Sequence, residues 1–214
     1  MSDFRIKTYS VGQIGTNCYV TYQESNKKAV IVDPGDDGGY ILNMCRELSL
    51  VPEAILLTHG HFDHILAVKD IKEAFPQVKI FAGKLEKELL ADPNLNMSSS
   101  FGKAYTVNAD EYAEDGASLS IGGIPFLVLF TPGHTSGSVC YFIPSENVLI
   151  SGDTLFLESL GRTDFPTGNQ SMILKSITER LFTLPEDTLV YPGHGEKTTI
   201  GHEKAYNPVA LYRR

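Results

Sequence analysis

Residues 57–64, with the sequence Leu-Thr-His-Gly-His-Phe-Asp-His, constrain this chain more than any other segment. They hold three of its six histidines and an aspartate, directly after the apolar run 54–57. A short apolar run that follows Pro52 predicts a buried strand. His59 and His61 come just past its end. Residues i and i+2 of an extended chain project to the same side, so both imidazoles can reach one metal ion.

Asp63 and His64 lie where the sequence pattern changes. Ile65, Val68 and Phe75 follow a helical spacing, which places Asp63 and His64 in the first turn of a helix and points them in a new direction. A strand end, a tight loop and a helix start can therefore present two ligand sets to two cations. Neutral imidazole and carboxylate are ligands that zinc and iron accept. The alternative, a chance cluster in which Asp63 caps a helix, is disfavoured because half of the histidines fall here.

Three further apolar runs each lead through a glycine to a potential ligand, and these ligands are His134, Asp153 and His194. One histidine in such a turn is more often structural. Four strand ends that together supply five histidines and two aspartates instead indicate one metal centre. We expect the sixth histidine, His202, to lie on the surface.

The composition bounds the class of protein. The 214 residues suffice for one sizeable domain, and without a repeat or a distinct tail we expect a single domain over residues 1–214. Eighteen basic and 26 acidic residues give a net charge of −8 with no basic run, which argues against nucleic acid as a partner. No apolar segment approaches membrane-spanning length, and no leader is recognisable. Three widely spaced cysteines suit reduced thiols, so we expect a cytoplasmic protein that does not bind a membrane.

The remaining elements are predicted as strands and short helices. Phe4–Val11 and 16–22 should form a hairpin, 29–32 a third strand and 39–50 a core-facing helix. Asp33, at the end of the third strand, is either a turn former or a residue that holds the metal-binding loop. Further strands are predicted at 78–82, 119–121 and Ile124–Phe130, and short helices at 84–90 and within the tail 198–214. Residues 92–102 are polar and form either a solvated connection or a substrate lid.

The order of these potential ligands resembles the metallo-β-lactamase superfamily over nearly the whole chain. Asp153, where other members carry cysteine, resembles the glyoxalase II side of the superfamily. His61 distinguishes the chain from flavo-diiron proteins, which tend to carry glutamate there. The resemblance implies an α/β fold, a four-layer αββα sandwich with mostly antiparallel or mixed sheets and the site at one edge.

The resemblance also implies a role for each ligand. One metal would be bound by the first ligand set, His59, His61 and His134. A second would be bound by the second ligand set, Asp63, His64 and His194. Asp153 would bridge the two ions, and Asp63 would also act in catalysis by orienting a metal-bridging hydroxide. The expected cofactor is two Zn²⁺ per chain, with iron as the alternative. Thr58 and Thr135 would either support the ligands or cap turns.

The implied reaction is thioester hydrolysis of the glyoxalase II (hydroxyacylglutathione hydrolase) type, on a small-molecule substrate that we expect to be an anionic thioester. Two metals about 3.5–4 Å apart give a bound water a pKa of about 7 rather than about 15.7. The sequence Gly-Arg-Thr-Asp-Phe-Pro at 161–166 and the ending Pro-Gly-His-Gly at 192–195 resemble the short glyoxalase II-like hydrolases, which lack the C-terminal helical region of the full-length enzymes. Arg162 would either bind a substrate carboxylate or be an exposed charge of the loop.

Three alternatives remain open. The loop 161–165 also resembles persulfide dioxygenases, which use mononuclear iron and oxygen. A phosphodiesterase or nuclease of the same superfamily ranks lower because the chain is acidic, and a noncatalytic binding module ranks lowest because no ligand position is lost. The acyl group, the thiol carrier, the metal and the oligomeric state vary within the superfamily, so the sequence leaves them open.

Overall fold

Two six-stranded sheets form the centre of the protein. The computed structural model describes residues 3–212. The first sheet has its strands in sequence order, antiparallel from β1 to β3 and parallel from β3 to β6. These strands are β1 (Phe4–Val11), β2 (Thr16–Gln23), β3 (Lys28–Val32), β4 (Val51–Leu56), β5 (Lys79–Gly83) and β6 (Glu111–Ala113).

The second sheet is antiparallel apart from one parallel pair. Its strands are β7 (Ser118–Ile121), β8 (Ile124–Phe130), β9 (Val139–Ile143), β10 (Val148–Gly152), β13 (Leu189–Pro192) and β14 (Thr198–Thr199). Their order is β14-β13-β10-β9-β8-β7, with β10 parallel to β13. A small hairpin, β11 (Leu155–Phe156) and β12 (Ser159–Leu160), follows β10.

Helices cover the outer face of each sheet, so the layers run helix, sheet, sheet, helix. The helices are α1 (Gly38–Glu47), α2 (Val68–Ala74) and α3 (Lys87–Ala91) in the first half, and α4 (Gln170–Lys175) and α5 (Ile200–Tyr206) in the second. Alternation along β3 explains the layering, because Val30 faces the core between the sheets whereas Ile31 packs with Ile41 of α1. On the far side, Leu149 of β10 packs in one cluster with Ile200 of α5. The predicted four-layer sandwich is confirmed.

Strand direction brings the potential ligands to one edge. β3 and β4 are parallel, so the turns after them meet at the same end of the first sheet. In the second sheet β8, β10 and β13 all run in one direction, because β9 is antiparallel to both of its neighbours. The segments that follow β4, β8, β10 and β13 carry every predicted ligand, and the turn after β3 carries Asp33.

The helix predicted from Asp63 onward begins later than expected. Asp63 and His64 lie in a separate 3₁₀ turn, Phe62–His64, and α2 starts only at Val68. The cause is a tertiary contact, because the amides of Leu66 and Ala67 donate to the carbonyls of Gly35 and Pro34 in the turn after β3. That turn thus holds the second half of the histidine-rich segment in place.

Most other elements agree with the predictions. The predicted hairpin of β1 and β2 is present, and the strands predicted at 119–121 and Ile124–Phe130 also pair as a hairpin. The helix predicted at 84–90 divides into a 3₁₀ turn, Lys84–Glu86, and α3. The tail contains α5 and a 3₁₀ turn, Pro208–Tyr212, and its last two residues lie outside the described residues. All three cysteines are buried and unbridged. Within residues 3–212, no helix has the length and apolar character needed to span a membrane.

Candidate metal centre

All seven predicted ligands converge at the edge of the sandwich. The first ligand set comes together as one group, and so does the second, with the ligating atoms of each group within 4.8 Å of one another. His59, His64 and Asp153 form a third such group between them. The imidazoles of the first set and of His64 are buried, whereas His194 has 28% of its side chain exposed. The site is therefore open on the His194 side.

Hydrogen bonds fix which nitrogen His59 and His134 present to the first ligand set. Thr58 donates its hydroxyl hydrogen to Asp33 over 2.6 Å, so it accepts from Nδ1 of His59 at 3.1 Å and leaves Nε2 free. His134 donates from Nδ1 to the Arg162 carbonyl over 2.8 Å, which leaves its Nε2 free. That Nε2 lies 2.9 Å from Nδ1 of His61. Three nitrogens therefore present lone pairs to one point.

The second ligand set is built around one carboxylate. Oδ2 of Asp63 lies 3.3 Å from Nε2 of His64 and 3.2 Å from Nε2 of His194. Thr16, the first residue of β2, donates its hydroxyl to the same oxygen over 2.8 Å. Because Thr16 occupies one lone pair, the carboxylate of Asp63 is fixed in orientation.

Asp153 lies between the two sets. Its Oδ1 is 3.4 Å from Nε2 of His64, and its Oδ2 is 3.5 Å from Nε2 of His134 and 3.6 Å from Nε2 of His194. This close packing depends on Gly193, where a Cβ atom would come within 2.1 Å of Oδ1 of Asp153. The carboxylate is thus within reach of both sets, as a bridging ligand must be.

Asp33 holds the metal-binding loop. Its Oδ1 accepts from the Thr58 amide over 2.7 Å, and its Oδ2 accepts from the Thr58 hydroxyl and from Nδ1 of His64 over 3.0 Å. It is buried in the left-handed region, with φ 50°. Of the two roles considered for Asp33, the contacts are those of a support for both ligand sets.

Glu86 is a second support, and the sequence analysis missed it. Its Oε2 accepts from the Gly60 amide over 2.7 Å, and its Oε1 accepts from the Thr135 hydroxyl over 2.6 Å and the Gly137 amide over 2.9 Å. Burial raises the pKa of Glu86 to about 7, and these three hydrogen bonds oppose the rise by stabilising the carboxylate. The side chain ties the loop of His59 and His61 to the loop of His134. Thr135, predicted either to support ligands or to cap a turn, donates to this carboxylate.

The electrostatics favour neutral imidazoles in the first ligand set. Burial, with smaller contributions from neighbouring histidines, holds the pKa of His59 well below its usual range and lowers that of His61 to about 3. At His64 burial also opposes the charged form, but Asp63, Asp153 and Asp33 outweigh it and hold the pKa well above its usual value. The carboxylates therefore create an excess of negative charge that a bound cation would neutralise.

The unpaired polar atoms at the site also indicate that its side chains could bind a metal. Within residues 3–212, four buried side-chain nitrogen or oxygen atoms have no hydrogen-bond partner, and all four belong to the site: Nε2 of His59, His61 and His64, and Oδ1 of Asp153. Buried polar atoms are nearly always paired in folded proteins. Three of the four belong to His59, His64 and Asp153, whose ligating atoms lie within 4.8 Å of one another, as a metal centre requires, whereas His61 faces the first ligand set with Nδ1.

Arg162 borders the site in a paired state. Its guanidinium makes two 2.7 Å hydrogen bonds to Asp164 and stacks on the ring of Phe165 at 3.8 Å, with 56% of the side chain exposed. Phe165 meets the imidazole of His61 edge to face, at 5.6 Å between ring centroids. The loop thus lies against the first ligand set, and a contact of Arg162 with substrate stays a prediction.

Similarity to known proteins extends over nearly the whole chain. The family model described as metallo-beta-lactamase superfamily matches residues 11–194. The probable metallo-hydrolase YqgX of Bacillus subtilis is 43% identical over 200 residues, which is 92% of this chain and 93% of that protein. The hydroxyacylglutathione hydrolase GloC of Haemophilus influenzae is 34% identical over 198 residues, 90% of this chain and 91% of its own.

Solved structures show the same fold. The BLEG-1 B3 metallo-beta-lactamase superposes with a TM-score of 0.91 at 43% identity, covering 95% of this chain and 98% of its own. TTHA1623 in a di-iron-bound form superposes with a TM-score of 0.84 at 34% identity, covering 94% of this chain and 98% of its own. The metal in that structure of TTHA1623 is a pair of iron ions.

Proposed function

The chain belongs to the metallo-beta-lactamase superfamily and is a metal-dependent hydrolase, and from this membership we propose that it hydrolyses thioesters in the manner of glyoxalase II. The observation that carries the proposal is the convergence of two full ligand sets with Asp153, rather than a cysteine, between them. The likeness to GloC, a hydroxyacylglutathione hydrolase, supports the same substrate class. We further propose that the first set, the second set and Asp153 hold two metal ions, zinc or iron.

When bound there, two metals supply a water with a pKa of about 7 and an electrophile for the thioester carbonyl. No serine or cysteine nucleophile is then needed, which agrees with the burial of all three cysteines. Asp63 orients the water by accepting a hydrogen bond, because Thr16 fixes the direction of its carboxylate. The exposed edge of His194 marks the side from which substrate enters.

The loop 161–165 would receive the polar part of the substrate. Arg162 exchanges its partner Asp164 for a substrate carboxylate, which replaces one bidentate pair by another. Because both the lost and the gained pair are exposed, this exchange gives selectivity for an anionic thioester rather than high affinity.

Metal analysis combined with hydrolysis tests the proposal. Protein purified without added metal should contain two metal ions per chain and hydrolyse S-lactoylglutathione, and a chelator should abolish the rate until metal is returned. Asp153→Ala should lose both metal and activity, whereas Asp164→Ala, a carboxylate outside both ligand sets, should keep its metal. Two bound metals with no hydrolysis of any thioester would overturn the thioester assignment.

β-Lactam hydrolysis is the second candidate, because a structure 43% identical is a B3 metallo-beta-lactamase. A nitrocefin assay on the same sample compares the two substrates directly. The alternative of a persulfide dioxygenase with mononuclear iron is less favoured, because the second ligand set is complete. One iron per chain with oxygen uptake on glutathione persulfide, and no hydrolysis, would establish it instead.

A further inference from the structure

A cleft beside the second ligand set has no role in the function described so far. It has a volume of roughly 210 Å³ and lies between the turn that joins β1 to β2 and the segment 98–103. We call it the hairpin cleft. Thr16 and Asp63 both line it, so it opens directly onto the candidate metal centre. The Thr16 to Asp63 hydrogen bond forms part of the shared wall.

The walls of the hairpin cleft are largely apolar. Phe101 stacks on Phe62 with ring centroids 4.0 Å apart and planes inclined by 20°, yet 58% of Phe101 remains exposed. Ile14, in the turn between β1 and β2, is 50% exposed and lines the same cleft. Single exposed apolar residues are common on protein surfaces. Two that line one cleft next to a catalytic centre favour an apolar ligand.

The segment that carries Phe101 is fixed to the site. The carbonyl of Asn96 accepts from the Phe62 amide over 2.9 Å, and Asn96 itself is buried. Ser98 accepts from the Tyr105 amide over 3.0 Å and donates back to the Tyr105 carbonyl over 3.1 Å. These bonds anchor the segment on both sides of Phe101, whose ring lines the cleft.

Outside the second ligand set, the charges at the cleft cancel. Lys103 and Asp36 line it, as does Asp63 of that set. Lys103 has its ammonium 5.8 Å from the centroid of the Tyr105 ring and no ion pair within residues 3–212, and Asp36 accepts from the amide of Asp37 over 2.8 Å. Apart from the proposed ligand Asp63, one charge of each sign gives no preference for a charged ligand. The loop 161–165 lies against the first ligand set and also carries one charge of each sign, but there Arg162 and Asp164 form a bidentate pair whose carboxylate a substrate carboxylate can replace.

We propose that the hairpin cleft binds the acyl group of the thioester and selects apolar acyl chains of medium length, while the polar thiol part lies toward the loop 161–165. The inference rests on the proposed thioester hydrolysis. The volume agrees with it, because an apolar cavity of about 150 Å³ accommodates a benzene ring. A lactoyl group alone would leave much of the cleft unfilled.

Acyl chain length is the variable that tests the inference. The holoenzyme is assayed on S-acetyl-, S-butyryl- and S-hexanoylglutathione, which share a thiol carrier and have similar thioester reactivity. Each buried methylene should raise kcat/KM about threefold, and hexanoyl has four more methylenes than acetyl, so burial of only two of them should make hexanoyl exceed acetyl by about tenfold. Phe101→Ala and Ile14→Ala should each lower the ratio of kcat/KM for hexanoyl to that for acetyl several-fold.

Matched controls come from exposed apolar residues outside the cleft. Tyr206→Ala and Val51→Ala remove side chains of comparable exposure and should leave the acyl preference of the enzyme unchanged. A flat acyl series in the wild type, or a preference that survives both cleft variants, overturns the inference while thioester hydrolysis stands. No hydrolysis of any member overturns the proposed function itself, and the acyl assignment with it.

Discussion

Two glutamates, Glu86 and Glu203, are fully buried, and each accepts three hydrogen bonds. The contacts of Glu86 join the loops that carry the first ligand set. Those of Glu203 come from the Thr198 hydroxyl over 2.5 Å, the Glu158 amide over 2.9 Å and Nδ2 of Asn207 over 2.7 Å. The same carboxylate chemistry thus occurs once beside the candidate metal centre and once away from it.

The difference lies in what each carboxylate holds. Glu86 accepts from Gly60, which lies between two proposed ligands, and from Thr135, which follows a third. Glu203 instead fastens α5 to β14 and to the hairpin of β11 and β12, and its partners are not adjacent to any proposed ligand. We infer that Glu86 positions ligands whereas Glu203 only stabilises the fold. Substitutions at the two positions should therefore separate catalysis from stability.

Glu86→Ala should have the largest effect. It leaves three buried donors without an acceptor, each at a cost of about 1–3 kcal/mol, and it frees two ligand loops from each other. We expect metal affinity and kcat/KM on S-lactoylglutathione to fall about 10- to 100-fold, as for other supports of metal ligands. Metal content and hydrolysis at fixed free metal measure the effect. Full metal occupancy with an unchanged rate would show that Glu86 does not position ligands.

Glu203→Ala is the matched comparison and comes next. It removes the same number of hydrogen bonds, so the free energy of unfolding should fall by about 3–5 kcal/mol. Metal content and kcat of the folded fraction should stay within about twofold. Denaturant unfolding of the metal-free protein measures stability, since bound metal would otherwise add to it. A loss of metal equal to that in Glu86→Ala would remove the distinction between the two sites.

The sequence predicted the seven residues that converge at the site but neither glutamate. These proposed ligands were accessible because four of them lie within residues 59–64 and the others follow apolar strands, so local patterns locate them. Glu86 belongs to the segment Lys-Leu-Glu-Lys-Glu, which is typical of an exposed helix. Its partners Gly60 and Gly137 lie 26 and 51 residues away along the chain, and their contribution is a backbone amide that any residue could supply.

Contacts with a distant part of the chain also explain why α2 starts later than predicted. The spacing of Ile65, Val68 and Phe75 correctly predicted a helix, but its first residue depends on carbonyls of Pro34 and Gly35 in a different loop. Most of the strands and the layers were accessible because they follow from apolar alternation and from the resemblance to a known family. Contacts between loops at the sheet edge carry no such pattern.

Replacing each glutamate by glutamine sharpens the comparison. In Glu86→Gln either orientation of the amide points its NH₂ group at a backbone N–H, of Gly60 or of Gly137, so one hydrogen bond becomes a repulsion. In Glu203→Gln the NH₂ group can face the Thr198 hydroxyl, which is able to accept, while the amide oxygen serves the other two donors.

We therefore expect Glu86→Gln to lose about 1–3 kcal/mol of stability and several-fold in kcat/KM, and Glu203→Gln to lose less than about 1 kcal/mol. Denaturant unfolding and steady-state hydrolysis of the same preparations measure both quantities. Equal losses in the two variants would mean that the identity of the donors, hydroxyl or backbone amide, does not control the outcome.

The smallest effects should come from the two threonines that donate to these carboxylates. Thr135→Val and Thr198→Val each replace a buried hydroxyl by a methyl group of similar size and remove one of three hydrogen bonds to a glutamate. Both should lower the free energy of unfolding by about 1–2 kcal/mol, because two donors remain on each carboxylate. Only Thr135→Val should also change catalysis, by about threefold in kcat/KM, since Thr135 directly follows His134 whereas Thr198 adjoins no proposed ligand.

A double-mutant cycle of Thr135→Val with Glu86→Ala measures the coupling energy between the two side chains, which should account for most of the effect of Thr135→Val alone. Additive losses would assign Thr135 to its turn, through its neighbour Ser138 at 2.6 Å, and would leave Glu86 to hold the loop through Gly137 alone.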